Sequence, residues 1–219
     1  MRSKEKVTRV VFVRHGETDF PTDRIYCDDR EDPPLNKAGA YQAEQAAKCL
    51  RGEDVAALYV SPAARTRMTA GSILAFHGNV SAQVEPGLRE RRFGIWEGLT
   101  FREIEEGYAD LYKAWKMDQA GFVPEGGESI FDVQVRLEPV IERIVSENRG
   151  RTAVVVAHVG PIRTLVAQAL GGGVKEYRRF QVDPASIAIV DYGVRQNNLI
   201  LLNYRADFFG ARASQAGCY

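Results

Sequence analysis

Apolar and polar positions alternate between two regimes along this chain. In VTRVVFV, residues 7–13, β-branched and aromatic residues run almost without a break, which predicts a strand buried on both faces. VAALYV (55–60) and TAVVVA (152–157) repeat that pattern. Other segments have helical period. Ala43, Ala46, Ala47 and Leu50 mark one face of a helix over Lys37–Leu50. Met68, Ile73 and Leu74 mark another to about Phe76, with Ser61 as its cap and Pro62 in its first turn. Ser129 is placed to cap a long helix whose buried face is Ile130, Val133, Leu137, Ile141, Ile144 and Val145. Pro139 within it predicts a kink or a tolerated cost. Pro161–Leu170 reads as a short helix, 80–84 as a short strand, and 186–192 with 198–204 as a terminal hairpin.

Strands alternating with helices predict an α/β fold with helices on both faces of the sheet. Residues 17–34 form a long polar loop, 88–100 a structured loop, 101–117 one helix or two, and 121–129 a glycine-rich loop. Periodicity is weakest over 91–128, the expected place of a small lobe beside the site within a single domain spanning 1–210. ARASQAGCY, 211–219, reads as a tail.

Composition narrows the function classes. The 219 residues suit one domain, and 45% apolar with 26% charged residues is ordinary for a globular chain. Lys plus Arg number 29 and balance 29 Asp plus Glu, so the chain has no general attraction for nucleic acid or anionic membrane. Cys27, Cys49 and Cys218 are odd in number and widely spaced, which predicts neither a disulfide framework nor a zinc site. With no signal-peptide pattern and no stretch approaching ~18 apolar residues, the expectation is a cytoplasmic protein without a membrane partner. The β-rich C-terminal segment leaves both a monomer and a homodimer open.

Two strand ends share a pattern. VVFVRHG and VVVAHVG are apolar runs that stop at His15 and His158, each with a glycine close behind, Gly16 and Gly160. Ligands of open α/β sheets bind beyond the carboxyl ends of the strands, so adjacent parallel strands would bring both imidazoles over one pocket. The glycines would let backbone N–H groups approach an anion. Arg14 adjoins His15, and Arg65 follows the strand 55–60 near a helix N-terminus, where guanidinium forks match phosphate oxygens. Arg163 reads as a solvated helix residue. Asp19, Asp23, Asp28, Asp29 and Asp32 read as a solvated acidic loop rather than a metal site.

RHGET (14–18), PLNKAG (34–39), SPAARTRMTA (61–70), LRERRFGIWEGLT (88–100), PEGGES (124–129) and AHVGPIR (157–163) together resemble, in order, the segments of the histidine phosphatase superfamily, the phosphoglycerate mutase-like proteins. The resemblance spans about residues 10–165. It implies a three-layer sandwich with a mostly parallel central sheet and helices on both faces. It also implies a metal-independent, cofactor-free phosphomonoesterase acting on a small phosphorylated metabolite through a phosphohistidine. By that resemblance His15 is the nucleophile and Glu90 the general acid and base. Arg14, Arg65 and His158 hold the phosphoryl group, with Gly16, Thr18, Arg24 and Val159 as further substrate-binding positions. Pro21 and Val159 depart from the family pattern, which carries Asn and Gly there. The short stretch between Glu90 and His158 resembles the phosphatase branch. The alternatives are phosphotransfer of the mutase type and a non-catalytic phosphate-binding module.

Overall fold

The computed structural model describes residues 6–26 and 31–206. The tail expected over 211–219 lies outside the described residues, as do Cys27, Asp28 and Asp29. Six strands form one sheet: β1 (Thr8–Arg14), β2 (Val55–Val60), β3 (Ala82–Val84), β4 (Thr152–Ala157), β5 (Ile187–Tyr192) and β6 (Asn197–Tyr204). Their order is β3-β2-β4-β1-β5-β6. β3, β2, β4 and β1 pair in parallel. β5 runs antiparallel to β1 and pairs with β6 as the expected hairpin.

The pleat of β1 assigns its side chains to two cores. Val10 and Phe12 join Val133, Leu137 and Ile144 of α5 (Ile130–Glu147) and Ile162, Leu165 and Val166 of α6 (Val159–Ala169). Val11 and Val13 join Ala46, Ala47 and Leu50 of α1 (Lys37–Leu50) and Ala70 and Ile73 of α2 (Ala64–Leu74). The helices thus cover both faces of a mostly parallel sheet, giving the three-layer α/β sandwich. Each fully buried aliphatic side chain contributes about 1.5–3 kcal/mol, which fixes strand register against a one-residue slip.

Residues 101–117 are two helices, α3 (Phe101–Gly107) and α4 (Ala109–Met117). Trp96, Ile104 and Trp115 are buried in a separate apolar cluster with Ile25, flanked by Phe93, Phe101, Tyr112 and Phe122. Trp96 stacks on Phe122 with ring centroids 5.0 Å apart. α5 begins with a capping box, the Ser129 hydroxyl accepting the Asp132 N–H while the Asp132 carboxylate accepts the Ser129 N–H. It passes through Pro139 without a break. Pro139 is exposed, on the solvent side of the helix.

Two boundaries differ from expectation. α2 starts at Ala64 after Ala63, and Ser61 does not cap it. The Asp32 carboxylate accepts the Ala64 N–H instead, at 2.8 Å and 2.9 Å, from the long polar loop. α6 starts at Val159, earlier than Pro161, with His158 as its N-cap residue. A 3₁₀ segment, Val174–Arg179, was not foreseen.

Candidate active site

β2, β4 and β1 lie side by side and parallel, so their carboxyl ends open onto one place. β1 delivers Arg14 and His15, β4 delivers His158, and the turn after β2 delivers Ser61 and Arg65. The His15 backbone is clamped from both sides: its N–H donates to Ala157 O at 3.1 Å and its carbonyl accepts from Ala185 N at 3.0 Å.

The His15 ring is 4% exposed, and its Nδ1 lies 2.7 Å from Gly16 O. A carbonyl only accepts, so Nδ1 holds the proton and Nε2 keeps its lone pair. Burial holds His15 well below the ordinary histidine pKa, and the charges of Arg14 and Arg65 push the same way. The lone-pair nitrogen stands 3.4 Å from Arg65 Nε. Arg65, with no exposed surface, reaches His158 Nδ1 with Nη2 at 3.2 Å. One guanidinium thus lies between two imidazoles whose centroids are 5.2 Å apart. His158 is also held well below its ordinary pKa, by burial first and then by Arg65, His15, Arg14 and Arg136. Its Nε2 lies 2.7 Å from Ser61 Oγ.

Arg65 is stacked as well as bonded. Its guanidinium carbon sits 4.3 Å from the Tyr26 ring centroid, and Phe20 stacks on Tyr26 at 4.4 Å. Both neighbours are too close to share one face, so Tyr26 is sandwiched between Phe20 and Arg65. The Tyr26 hydroxyl and Thr18 Oγ1 are 2.5 Å apart. Arg14 donates through Nη1 to Val182 O at 2.8 Å.

Glu90 reaches the same place from the loop after β3. Its carboxylate accepts the Arg91 N–H at 2.8 Å and the Gly160 N–H at 3.2 Å, in the first turn of α6. Gly160 leaves room for it, because a Cβ there would stand 2.2 Å from Glu90 Oε1. Arg136 of α5 fastens the loop by donating to the carbonyls of Gly87, Arg89 and Glu90 at 2.6, 3.0 and 3.2 Å. It also pairs with buried Glu128 at 2.9 Å.

The remaining expected positions have other surroundings. The Gly16 N–H donates to Thr69 Oγ1 at 3.2 Å, and a Cβ there would lie 2.4 Å from Gly39 O. Gly16 therefore lets the loop pack against α1. Thr18 is buried and occupied by Tyr26 and by the Phe20 N–H. Arg24 is exposed and donates to Gly98 O at 3.2 Å. Val159 is half-buried at the start of α6, where helix N–H groups lack intrahelical acceptors. Arg163 is buried at 8% exposure, against the expectation of a solvated position. Arg91 is buried too and donates to the carbonyls of Glu128, Gln119 and Phe122, so its guanidinium braces backbone. Among the described residues no group of three or more His, Cys, Asp or Glu could hold a metal ion, and no helix is long and apolar enough to cross a membrane.

Sequence reasoning missed Ser61, Arg136 and the Tyr26 sandwich. Ser61 had one usable signal, its place at the end of a strand adjacent to the one that ends at His158.

Two buried imidazoles thus share one guanidinium at the carboxyl ends of a parallel sheet, where open α/β folds place their ligands. The chain belongs to the histidine phosphatase superfamily (branch 1), whose sequence profile matches residues 10–205. It is 38% identical over 189 residues to the bifunctional protein Rv2228c of Mycobacterium tuberculosis, covering 84% of this chain and 50% of that protein. The chain thus spans about half the length of that curated relative. It is 29% identical over 198 residues to phosphoserine phosphatase 1 of Hydrogenobacter thermophilus, covering 90% and 92% of the two chains. Among solved structures, mycobacterial glucosyl-3-phosphoglycerate phosphatase superposes with a TM-score of 0.81 at 28% identity, covering 90% of this chain and 99% of the other. Family membership supports a phosphomonoesterase of the histidine-phosphatase type.

Proposed function

We propose that the protein hydrolyses a small phosphorylated metabolite through a phosphohistidine at His15. The observation that carries this reading is the His15 ring itself, buried, with Nδ1 anchored on Gly16 O at 2.7 Å and Nε2 facing Arg65. Such a nitrogen is neutral, aimed, and unable to turn away.

In the first step the Nε2 lone pair forms a bond to phosphorus as the bond from phosphorus to the leaving oxygen breaks. Glu90 gives its proton to that oxygen, so the alcohol leaves neutral. Arg14, Arg65 and His158 surround the phosphoryl oxygens, over which the transition-state charge is spread. In the second step water attacks phosphorus, the N–P bond breaks, and Glu90 takes the proton from water. The sum is phosphomonoester plus water to alcohol plus phosphate, with the enzyme restored. Two easier displacements replace one hard one.

Relatives named for phosphoserine and for glucosyl-3-phosphoglycerate support a small, anionic phosphorylated metabolite as the substrate class. The test is hydrolysis of a chromogenic phosphomonoester in excess EDTA, followed by a panel of phosphorylated metabolites. Turnover that disappears in His15→Ala is expected. Phosphate binding without turnover on any member of the panel would leave a phosphate-binding module, and transfer to a second metabolite instead of water would leave a mutase.

A further inference from the structure

Ser61 is a buried side chain of the site that the reaction steps do not use. Ser61 follows β2, has no exposed surface, and holds its backbone N–H on Val156 O at 3.0 Å. Its carbonyl accepts the Thr66 hydroxyl at 2.8 Å. Its own hydroxyl stands 2.7 Å from His158 Nε2.

The proton positions on His158 follow from its two partners. Arg65 Nη2, 3.2 Å from Nδ1, can only donate, so Nδ1 is the acceptor. The ring proton is therefore on Nε2 and is donated to Ser61 Oγ. That leaves the Nδ1 lone pair on the side shared with His15 Nε2, since both nitrogens converge on one guanidinium. A phosphoryl group bonded to, or attacked by, His15 Nε2 brings its anionic oxygens to that side. An oxygen lone pair opposite a nitrogen lone pair is repulsive unless a proton lies between them.

We propose that Ser61 is a positioning residue: it accepts the Nε2 proton of His158, which Arg65 directs there, and so holds the ring for an anion that is bound with uptake of a second proton at Nδ1. The proton comes from solvent when the ligand arrives as a dianion, and no other bond changes. Arg65 from α2 lies 3.2 Å from His158 and the His15 ring 5.2 Å from its centroid, while the charges of Arg14 at the end of β1 and Arg136 on α5 also act on it. The Glu90 carboxylate stands at Gly160 on the same helix. The surrounding cations keep the ring neutral until negative charge enters, so the imidazolium forms only against the ligand.

This inference rests on the site's being an anion site, and sulfate separates the two. Sulfate stays dianionic near neutral pH, so any proton taken up must land on the protein. The chain has only three histidines, His15, His77 and His158, so ¹⁵N imidazole spectra resolve each ring. Without sulfate, His158 is expected as the Nε2–H tautomer. At saturation both nitrogens should be protonated, with calorimetry in buffers of different ionisation heat reading roughly one proton per sulfate. His158→Gln should abolish that uptake, whereas His15→Ala should retain it. Ser61→Ala should leave Nδ1 as the acceptor of Arg65 but weaken sulfate roughly tenfold near neutral pH, the cost of an unpaired donor on a charged ring. Sulfate bound beside a neutral His158, or uptake that disappears with His15 instead, overturns the proposal. So does an unchanged affinity in Ser61→Ala. The wild-type spectra decide the matter even if that variant does not fold. Failure of sulfate to bind at all contradicts the anion site itself, and the proposal with it.

Discussion

Gly160 and Glu90 share a space that a methyl group would fill. A Cβ at residue 160 would stand 2.2 Å from Glu90 Oε1, and the nearest neighbours of that position are all atoms of the Glu90 carboxyl group. Alanine favours a helix over glycine by about 0.8–1 kcal/mol, so Gly160→Ala should not unfold α6. It should displace the carboxyl group that protonates the leaving oxygen. Expected, therefore, is a fall in kcat of about 10²-fold or more on alkyl phosphates, in the range of general acid catalysis, with an unchanged melting temperature. A nitrophenolate leaves without a proton, so its ester should lose far less. Equal losses on both substrates would mean that Gly160 acts on something other than Glu90. At this scale the histidines and the two arginines were legible, because each follows an apolar strand that stops abruptly. Ser61 was misread because a serine before a proline carries the same local signal whether it caps a helix or bonds a distant imidazole. The cap came from Asp32, whose approach to Ala64 is a tertiary contact that local spacing does not encode.

Among the elements, α5 has a second task beyond covering the sheet. Its Arg136 holds the carbonyls of Gly87, Arg89 and Glu90, and so the loop that carries the proposed acid. The same guanidinium neutralises Glu128, whose side chain is 8% exposed. Removing one partner of a buried pair leaves an uncompensated charge, at a cost of about 3–5 kcal/mol. Arg136→Met should lower the urea midpoint accordingly and cut turnover, and Arg136→Met with Glu128→Gln should recover part of the stability without the activity. Recovery of both would show that the loop does not need the guanidinium. The strands and most helices were readable from period alone. Arg136 was not, because its place on α5 says nothing of the loop that crosses it. Nor does period reveal that Arg91 braces three backbone carbonyls of the lobe.

For the whole molecule, the two buried histidines tie stability to pH. Both are held well below the ordinary histidine value by burial in the folded chain. Below a pH of about 6.5 the unfolded chain takes up protons that the folded chain refuses. Stability should therefore fall with pH from that point down to the depressed folded values, by up to about 1.4 kcal/mol per pH unit for each histidine. Above that window neither histidine contributes a slope. Denaturation midpoints measured across pH should show this fall, and His158→Gln should flatten part of it. An anion bound with a proton at His158 would counter the fall, so sulfate should protect most on the acid side. The sandwich architecture itself was legible from alternating strands and helices. The strand order was not, since it is set by packing between segments far apart in sequence, and it is that order which brings β1, β4 and β2 together. The central claim is a covalent phosphoryl group on His15, and the direct measurement is rapid quenching during turnover of a ³²P-labelled phosphomonoester in EDTA. The account predicts label that is acid-labile and alkali-stable, mapped by peptide mass to His15 and absent from His15→Ala. Label on another residue, or turnover that persists in His15→Ala, would contradict it.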